Sequence, residues 1–149
     1  MDDVHGMYLE DVSLGMTAVY SRTVTETDIV LFSGVSGDVN PVHLDQEFAK
    51  QTMFKGRIAH GMLTASFIST VLGTKLPGPG CVYISQNLKF KSPVRIGDTV
   101  KARVTVTGVD PIRGRITVST VCYVGDVLVI DGEAQLMVPR RPTTQEAAE

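Results

Sequence analysis

The chain has 149 residues, of which 43% are hydrophobic, and its formal net charge of −2 comes from acidic and basic residues mixed along the sequence. This length favours a single domain with a substantial core, and the mixed charge argues against a nucleic-acid-binding protein, which would need a clustered basic face. Trp is absent and aromatic residues make up 6% of the chain, which disfavours a stacking platform for RNA or carbohydrate.

The N-terminal segment, the apolar runs and the cysteines bear on where the protein resides. Residues 1–12 are acidic and lack the apolar core of a secretory signal, and no apolar run approaches the roughly 20 residues that span a bilayer. Cys81 and Cys122 do not form a CxxC motif. The sequence permits a disulfide between them but does not require one, and reduced intracellular thiols are the simpler interpretation. We therefore expect a cytoplasmic protein that contacts no membrane.

The first half of the chain begins with a lead-in over residues 1–16. Thr17–Val24 is rich in β-formers and alternates loosely, which predicts a first strand. Thr25 and Asp28 match the capping-box signal and an apolar run follows, which predicts a short helix. That helix is expected to end among residues 33–37, whose glycines interrupt it.

The segment over residues 38–43 contains a proline that restricts the backbone. Pro41 forces extended geometry on Asn40 and has no backbone N–H to donate. We therefore predict a stiff, irregular loop here rather than a helix. Asp45 is the predicted N-cap of a brief helix over residues 46–51.

A long buried helix is predicted next. Met62–Leu72 contains no Gly, no Pro and no charged residue, and it is mostly apolar or small. Gly73 and the Pro77–Gly80 segment end it. Ser66 and Ser69 share one face of this helix at helical spacing.

Four strand-like runs fill the second half of the chain. In the second run, Val and Ala alternate with Lys, Arg and Thr, which predicts a sheet with one buried face and one wet face. A tight turn at Gly125-Asp126 joins the last two runs. The predicted strands are Cys81–Phe90, Thr99–Gly108, Arg115–Val124 and Val127–Val138.

These elements together predict an α+β fold. A single domain over residues 1–139 has an antiparallel sheet wrapped around a long central helix. Residues 140–149 have no apolar pattern and are predicted to form a flexible C-terminal tail. One sheet and one helix leave sheet edges uncovered, and a dimer is a natural way to cover them.

The residues best suited to chemistry lie between Asp38 and Gly61. Asp38 and His43 form an acid/base pair five residues apart, and both groups can take and give protons. Gly61 directly precedes the predicted long helix, at whose start the first N–H groups have no intrahelical partner and the helix dipole favours negative charge. A glycine there also lets a ligand oxygen approach the backbone closely. We predict an active site in this segment.

Each candidate also has a local interpretation. Asp38 can form an Asx-turn, and His43 alone is typical of a surface histidine. Asn40 is either a turn former or the residue that holds the catalytic loop in shape. His60 either orients the loop or caps the helix. Ser69 in an apolar helix often bonds the carbonyl four residues earlier.

A metal site on the Asp38 and His43 pair is conceivable from sequence. It would need further His, Cys or carboxylate ligands, and in sequence only Asp45 is near. We predict no metal.

A family resemblance rests on two motifs. The run Asp38-x-Asn40-Pro41-x-His43-x-Asp45 and the later His60-Gly61-Met62-Leu63 resemble the signature of MaoC-like (R)-specific enoyl-CoA hydratases, which have the hot-dog fold. The segment over residues 86–94 and the following Gly97-Asp98 are also similar to that family. The resemblance covers about residues 9–139 and implies one hot-dog domain.

The resemblance also implies roles for individual residues. The catalytic pair falls on Asp38 and His43, the backbone amide that polarises the thioester carbonyl falls on Gly61, and a site-associated serine falls on Ser69. The implied reaction is reversible syn hydration of a trans-2-enoyl-CoA to an (R)-3-hydroxyacyl-CoA. It needs no cofactor, because coenzyme A is part of the substrate. A homodimer with active sites near the subunit interface is implied as well.

Other functions stay open at the level of sequence. One is a different hot-dog dehydratase, acting on acyl-carrier-protein thioesters or on branched or dicarboxylic CoA esters. Another is a non-catalytic acyl-CoA-binding module or a subunit of a dehydratase complex. A hot-dog thioesterase fits the Asp38-x-Asn40-Pro41-x-His43 frame less well.

Overall fold

The computed structural model describes residues 2–145. Within them, a five-stranded antiparallel sheet of order β1-β3-β4-β5-β2 packs against one long helix, α4. The predicted α+β fold is therefore confirmed. The helices are α1 (Glu26–Ser36), α2 (Pro41–Leu44), α3 (Gln46–Lys50) and α4 (Gly61–Thr74), and the strands are β1 (Thr17–Thr23), β2 (Val82–Phe90), β3 (Thr99–Asp110), β4 (Arg115–Val124) and β5 (Val127–Met137). Short 3-10 turns lie at Asp2–Val4 and Leu9–Asp11.

The core lies between α4 and the inner face of the sheet. Ile68 and Val71 of α4 are fully buried and belong to the same apolar cluster as Val100 and Val104 of β3. In β3, buried positions alternate with exposed Lys101, as the predicted wet face requires. Burial of this apolar surface is the main stabilising contribution to the fold.

The start of α1 shows the predicted capping box. The Thr25 side chain accepts a hydrogen bond from the Asp28 N–H at 3.2 Å, and the Asp28 carboxylate accepts one from the Thr25 N–H at 3.0 Å. Gly37 ends the helix with a φ of 77°, a left-handed conformation that glycine adopts without strain. Its N–H donates to the Ser33 carbonyl at 2.9 Å, so Asp38 follows directly on a fixed helix end.

The prediction of an irregular loop over residues 38–43 is wrong for its second half. Pro41–Leu44 is a short helix, and the Asn40 side chain caps it by accepting from the Val42 N–H at 3.1 Å. Pro41 disfavours the helical interior but suits the first helical position, because the N–H there has no intrahelical acceptor and the fixed φ is already helical. The predicted Asp45 cap is confirmed, with the Phe48 N–H donating to its carboxylate at 3.0 Å.

Both edges of the sheet are unpaired within the described chain. β1 and β2 are the outermost strands of the five-stranded order, and β2 exposes Val82, Tyr83 and Ile84. All four strands predicted in the second half are present, each with ends shifted by up to two residues. The longer reach of β3, to Asp110, accommodates a bulge between Val106 and Gly108.

The remaining predictions concern the cysteines, the membrane and the tail. Cys81 and Cys122 are free thiols, and burial raises the pKa of Cys122 to about 12. None of the helices in residues 2–145 is long and apolar enough to cross a membrane. Arg140 donates to the Ile112 carbonyl at 3.0 Å. The tail boundary after residue 139 stays a prediction, and its last four residues, 146–149, lie outside the described part of the chain.

Candidate active site

Asp38 is held by its backbone and presents its carboxylate to a cavity. Its N–H donates to the Ser36 Oγ at 3.1 Å, and its own Oδ1 accepts from the Asn40 N–H at 3.2 Å. The second bond is the Asx-turn that the local interpretation anticipated. Asp38 is nevertheless exposed and lines the cavity, so the carboxylate both shapes the turn and faces the space where a ligand would lie.

His43, on α2, is buried with a defined tautomer. Its Nδ1 lies 2.8 Å from the Ile58 carbonyl oxygen. Because a carbonyl can only accept, Nδ1 carries the proton and Nε2 keeps a lone pair. Burial lowers the pKa of His43, and the neighbouring His60 lowers it further, while the bond to Ile58 and the charge of Asp38 oppose the shift. The imidazole is thus a neutral base at pH 7.

His60 contacts both members of the predicted pair. Its Nε2 lies 2.9 Å from the Asp38 carbonyl oxygen and 3.2 Å from the Ser33 Oγ. Its ring stacks on the His43 ring with centroids 3.8 Å apart. His60 is also the N-cap residue of α4 but makes no side-chain capping bond. Of the two interpretations of His60, the contacts match orientation of the loop.

The structure brings three titratable side chains together. One nitrogen or oxygen atom from each of Asp38, His43 and His60 lies within 4.8 Å of the others. In sequence, only Asp45 is near enough to serve as a third ligand for a cation. In the structure, the third residue beside Asp38 and His43 is His60. These three residues are the ones that a cation at this site would use, and the absence of a metal stays a prediction.

Gly61 is the first residue of α4 and lies in the same cavity wall as Asp38. In the first turn of a helix the N–H groups have no intrahelical acceptor, so the Gly61 N–H is available to a ligand oxygen. A Cβ at this position would lie 2.7 Å and 2.8 Å from two ring atoms of Phe90. The absence of a side chain is therefore required by the Phe90 ring as well as suited to the close approach of a ligand.

The cavity at this site has a volume of about 570 Å³. Its polar wall contains Asp38, His60 and the Gly61 backbone, and His43 lies behind this wall against His60. Most of the other lining residues are apolar, which suits a site for an acyl chain. The other lining residues are Met53, Phe54, Ile58, Ala59, Met62, Thr64, Phe90, Lys91, Ser92, Pro93, Val94, Val129 and Ile130.

Ser69 does not join this cavity. It lines a second cavity of about 580 Å³ together with Ser66 and Phe32, and the two cavities share only Met62. The Ser66 hydroxyl donates to the Leu63 carbonyl at 2.5 Å. The Ser69 hydroxyl has no such bond among the described residues, so the local interpretation of a helix-bonded serine does not apply to it. Its role at the site stays a prediction.

Sequence reasoning missed two residues that hold this site. Ser33 bonds His60, as described above. Arg57 donates from Nε to the His43 carbonyl at 2.6 Å, and its two terminal nitrogens bind Glu26 at 2.9 and 3.0 Å. Neither residue carries a motif, because each contact joins positions far apart in sequence.

The geometry favours proton transfer next to a polarised carbonyl. The Asp38 carboxylate and the backbone N–H donors at the start of α4 lie on one wall of the cavity. The neutral His43 imidazole lies behind that wall, with a ring nitrogen within 4.8 Å of a carboxylate oxygen of Asp38. The acid/base pair can move a proton, and the N–H donors with the helix dipole stabilise a developing oxyanion. Such an arrangement suits the addition of water to the C2–C3 double bond of an enoyl thioester, and the reverse dehydration.

Several known proteins are similar to this chain in sequence and in fold. The MaoC-like domain model matches residues 12–126. The chain is 55% identical to the (R)-specific enoyl-CoA hydratase of Rhodospirillum rubrum, over 94% of this chain and 97% of that protein. It is 47% identical to the 3-hydroxybutyryl-CoA dehydratase of Methylorubrum extorquens, over 95% of this chain and 90% of that protein.

A solved structure adds the same result for the fold. The unliganded R-hydratase of Pseudomonas aeruginosa superimposes with a TM-score of 0.86 at 41% identity, covering 93% of this chain and 89% of that one. The resemblance drawn from the residues around Asp38 and His60 is thereby confirmed. Since the family model spans more than half of the chain and full-length relatives exceed 30% identity, the chain belongs to the MaoC-like domain family and has its hot-dog fold.

Proposed function

We propose that this protein is an (R)-specific enoyl-CoA hydratase, a hydro-lyase. It adds water reversibly, in a syn sense, to a trans-2-enoyl-CoA and forms an (R)-3-hydroxyacyl-CoA. The observation that carries the proposal is the meeting of the Asp38 carboxylate, the neutral His43 imidazole and the Gly61 N–H at the start of α4. The names and near-complete overlap of the relatives described above support it.

In the proposed mechanism, Asp38 and His43 together bind and activate one water molecule. The pair removes a proton as the water oxygen bonds to C3, and the electrons of the C2–C3 double bond move to the thioester oxygen. When that enolate collapses, C2 takes the proton back from the pair. Because one pair both takes and returns the proton, both additions occur on one face. His43 takes the larger part in deprotonation, since its Nε2 holds a free lone pair.

Gly61 supplies the donor for the thioester oxygen. The charge that develops there in the transition state lies at the N-terminus of α4, where unpaired N–H groups and the helix dipole stabilise it. Removal of one donor of this type typically costs about 100- to 1000-fold in rate. Asn40 shapes the catalytic loop through its cap on α2, and Ser69 and His60 support the site.

The reaction as proposed uses no metal and no redox cofactor, and coenzyme A enters as part of the substrate. We also propose a homodimer, because the unpaired edge of β2 exposes apolar Val82, Tyr83 and Ile84. The free thiols of Cys81 and Cys122 support a reducing compartment, which we propose to be the cytoplasm.

The test is hydration of crotonyl-CoA, followed by loss of the enoyl-thioester absorbance. Wild type, Asp38→Asn and His43→Gln are compared with Asp126→Asn, a matched amide substitution in the exposed turn between β4 and β5. We expect fast loss in wild type and Asp126→Asn, a collapse in the two site variants with unchanged circular dichroism, and product of R configuration. Activity that survives both site substitutions would exclude the assigned pair.

Substrate breadth separates the remaining functions. A panel of longer, branched and dicarboxylic enoyl-CoAs, together with crotonyl-acyl-carrier protein, is run with the same variants. Preference for the carrier-protein thioester would make the protein a carrier-protein dehydratase. Binding of acyl-CoA without turnover of any member would make it a binding module or an incomplete subunit.

A further inference from the structure

We propose that Ser33 and His60 form a positioning pair that sets the place of Asp38 relative to His43. This inference rests on the proposed function and extends it to two residues that do not touch the reacting atoms. Ser33 lies on α1, His60 is the N-cap residue just before α4, and Asp38 lies between α1 and α2. The pair therefore ties together the three parts of the chain that meet at the site.

The tautomer of His60 follows from its partners. The Asp38 carbonyl oxygen, 2.9 Å from Nε2, can only accept a hydrogen bond, so Nε2 carries the proton. The Ser33 Oγ, 3.2 Å from the same nitrogen, shares that N–H as a second acceptor. Both side chains are buried, with 5% of Ser33 and 2% of His60 exposed. Ser33 thus holds the His60 ring at the angle from which it reaches Asp38.

Packing alone does not explain a histidine at this position. The His60 ring lies between the rings of Phe32, at 4.8 Å, and His43, at 3.8 Å, where an aromatic hydrocarbon would fit. Its Nδ1 is buried without a hydrogen-bond partner among the described residues. An unpaired buried acceptor is destabilising. The gain that offsets it is the N–H donated to the Asp38 carbonyl.

One ring therefore positions both members of the acid/base pair. His43 lies flat on its face, and Asp38 is bound to its edge. The Asp38 carboxylate itself accepts only from the nearby Asn40 N–H among the described residues. Its distance from His43 consequently depends on the backbone bond to His60. A displacement of about 1 Å between reacting groups is enough to lower a rate by on the order of 100-fold.

The experiment separates the hydrogen bond from the ring. His60→Phe keeps a stacking ring and removes the N–H, Ser33→Ala removes the shared acceptor, and Ser33→Thr keeps a hydroxyl. Thr74→Ala is the control, because its hydroxyl lies at the far end of α4 and, within residues 2–145, bonds only the Thr70 carbonyl. For each variant, kcat and KM for enoyl-CoA hydration and the melting temperature are measured.

We expect His60→Phe to lower kcat by about 100-fold with little change in KM. The melting temperature should change little, because the loss of the unpaired Nδ1 and the loss of the bond to Asp38 oppose each other. Ser33→Ala should lower kcat by about 10-fold, Ser33→Thr should restore most of it, and Thr74→Ala should match wild type. In the double variant, Ser33→Ala should add no further loss to His60→Phe, since Ser33 acts through His60.

Two results would overturn the proposal. One is a His60→Phe enzyme with at least half of the wild-type kcat. The other is an Nδ1–H tautomer of His60 in long-range proton–nitrogen NMR spectra of the wild-type imidazoles. If wild type hydrates no enoyl thioester, the proposed function fails. The NMR spectra then still test whether Ser33 and His60 position Asp38. In that case a His60 Nε2–H resonance that shifts in Ser33→Ala supports the pair.

Discussion

The ring of His43 lies on the ring of His60, with centroids 3.8 Å apart and planes 27° from parallel. Each imidazole donates one N–H to a backbone carbonyl, His43 to Ile58 and His60 to Asp38. Burial and the neighbouring His60 both lower the pKa of His43, so the stack favours a neutral His43 imidazole. This keeps His43 in the form of a base.

The first prediction follows for the pH dependence of hydration. The usual pKa of a histidine is 6.5, and burial together with His60 lowers that of His43. A lowered pKa keeps the base form populated as the pH falls, so the acid limb of kcat/KM should have its midpoint below 6.5. The measurement is kcat/KM for crotonyl-CoA across a pH series. A midpoint at or above 6.5 would contradict the neutral, desolvated base.

The second prediction concerns Gly61→Ala. The new methyl group would lie 2.7 Å from the Phe90 ring and beside the N–H that receives the thioester oxygen. We expect kcat/KM to fall by on the order of 100-fold, with a folded protein, because Phe90 is half-exposed and can turn away. Gly73→Ala in the same helix is the control, since its methyl group meets nothing within 4 Å. That variant should keep its activity and gain about 0.5–1 kcal/mol of stability.

If Gly61→Ala acts only by displacing the ring, adding Phe90→Leu should restore activity. Persistent loss in this double variant would assign the effect to the blocked N–H. Full activity of Gly61→Ala alone would contradict the expectation that a methyl group here obstructs the approach of the thioester oxygen.

The third prediction concerns the stability of α1. Asp28 is buried, closes the capping box with Thr25 and binds Arg22 at 2.5 Å. We expect Asp28→Ala to lower the free energy of unfolding by about 1–3 kcal/mol, whereas Thr27→Ala, on an exposed position of the same turn, should change it little. Denaturant titrations measure both. An Asp28→Ala protein as stable as wild type would show that the box contributes nothing.

The stabilisation from the Asp28–Arg22 ion pair should depend on pH. The bond from Arg22 is the largest cause that lowers the pKa of Asp28 below 3.8. The stabilisation is therefore fully present above 3.8 and is lost as the pH falls through the lower folded-state pKa. The difference in stability between wild type and Asp28→Ala should accordingly narrow in acid.

The sequence predicted the elements because their signals are local. The Thr25 capping box and the apolar 62–72 run depend on residues within one or two turns of each other. The prediction at Pro41 was wrong for a reason that is also local. Proline is common both in loops and at the first position of a helix. At Pro41 the helix forms because the Asn40 side chain caps it. The residues that decide the structure at this point are all nearby in sequence, but the preference of proline for loops and its preference for helix starts predict different structures.

The contacts that complete the site were beyond sequence reasoning. His60 lies 22 residues from Asp38 and 27 from Ser33, and only the approach of α4 to α1 joins them. Ser69 illustrates the converse. Helical spacing correctly places it on one face with Met62, but the cavity it reaches is the second one. Periodicity predicts which residues share a face of a helix, whereas the packing of that helix in the fold decides which cavity the face meets.

The fourth prediction tests the proposed dimer. Ile84 lies on the unpaired edge strand β2 and is exposed in the single chain. Ile84→Glu puts a charge where a second copy would bury an apolar side chain, so we expect it to halve the mass measured by light scattering after size exclusion. Ile112→Glu, in the exposed β3–β4 turn, is the control and should keep the wild-type mass. A monomeric wild type would rule out the dimer.

The last prediction concerns Arg57, which joins α1 to the carbonyl of His43. Its Nε donates to that carbonyl at 2.6 Å, and its fork binds Glu26. Lysine keeps the charge but cannot make both contacts in this fixed geometry. We therefore expect Arg57→Lys to lower kcat by about 10-fold, with a KM close to wild type, because the His43 backbone is freed.

Glu26→Gln separates the two contacts of Arg57. Glu26 is 55% exposed, so loss of this ion pair alone should change activity and stability little, by less than about 1 kcal/mol. Both variants are compared with Arg141→Lys, which alters the exposed pair with Asp11 far from the site. Equal losses in Arg57→Lys and Glu26→Gln would show that the ion pair positions His43. A loss confined to Arg57→Lys assigns that role to the bond from Nε, since this is the contact that Glu26→Gln leaves intact.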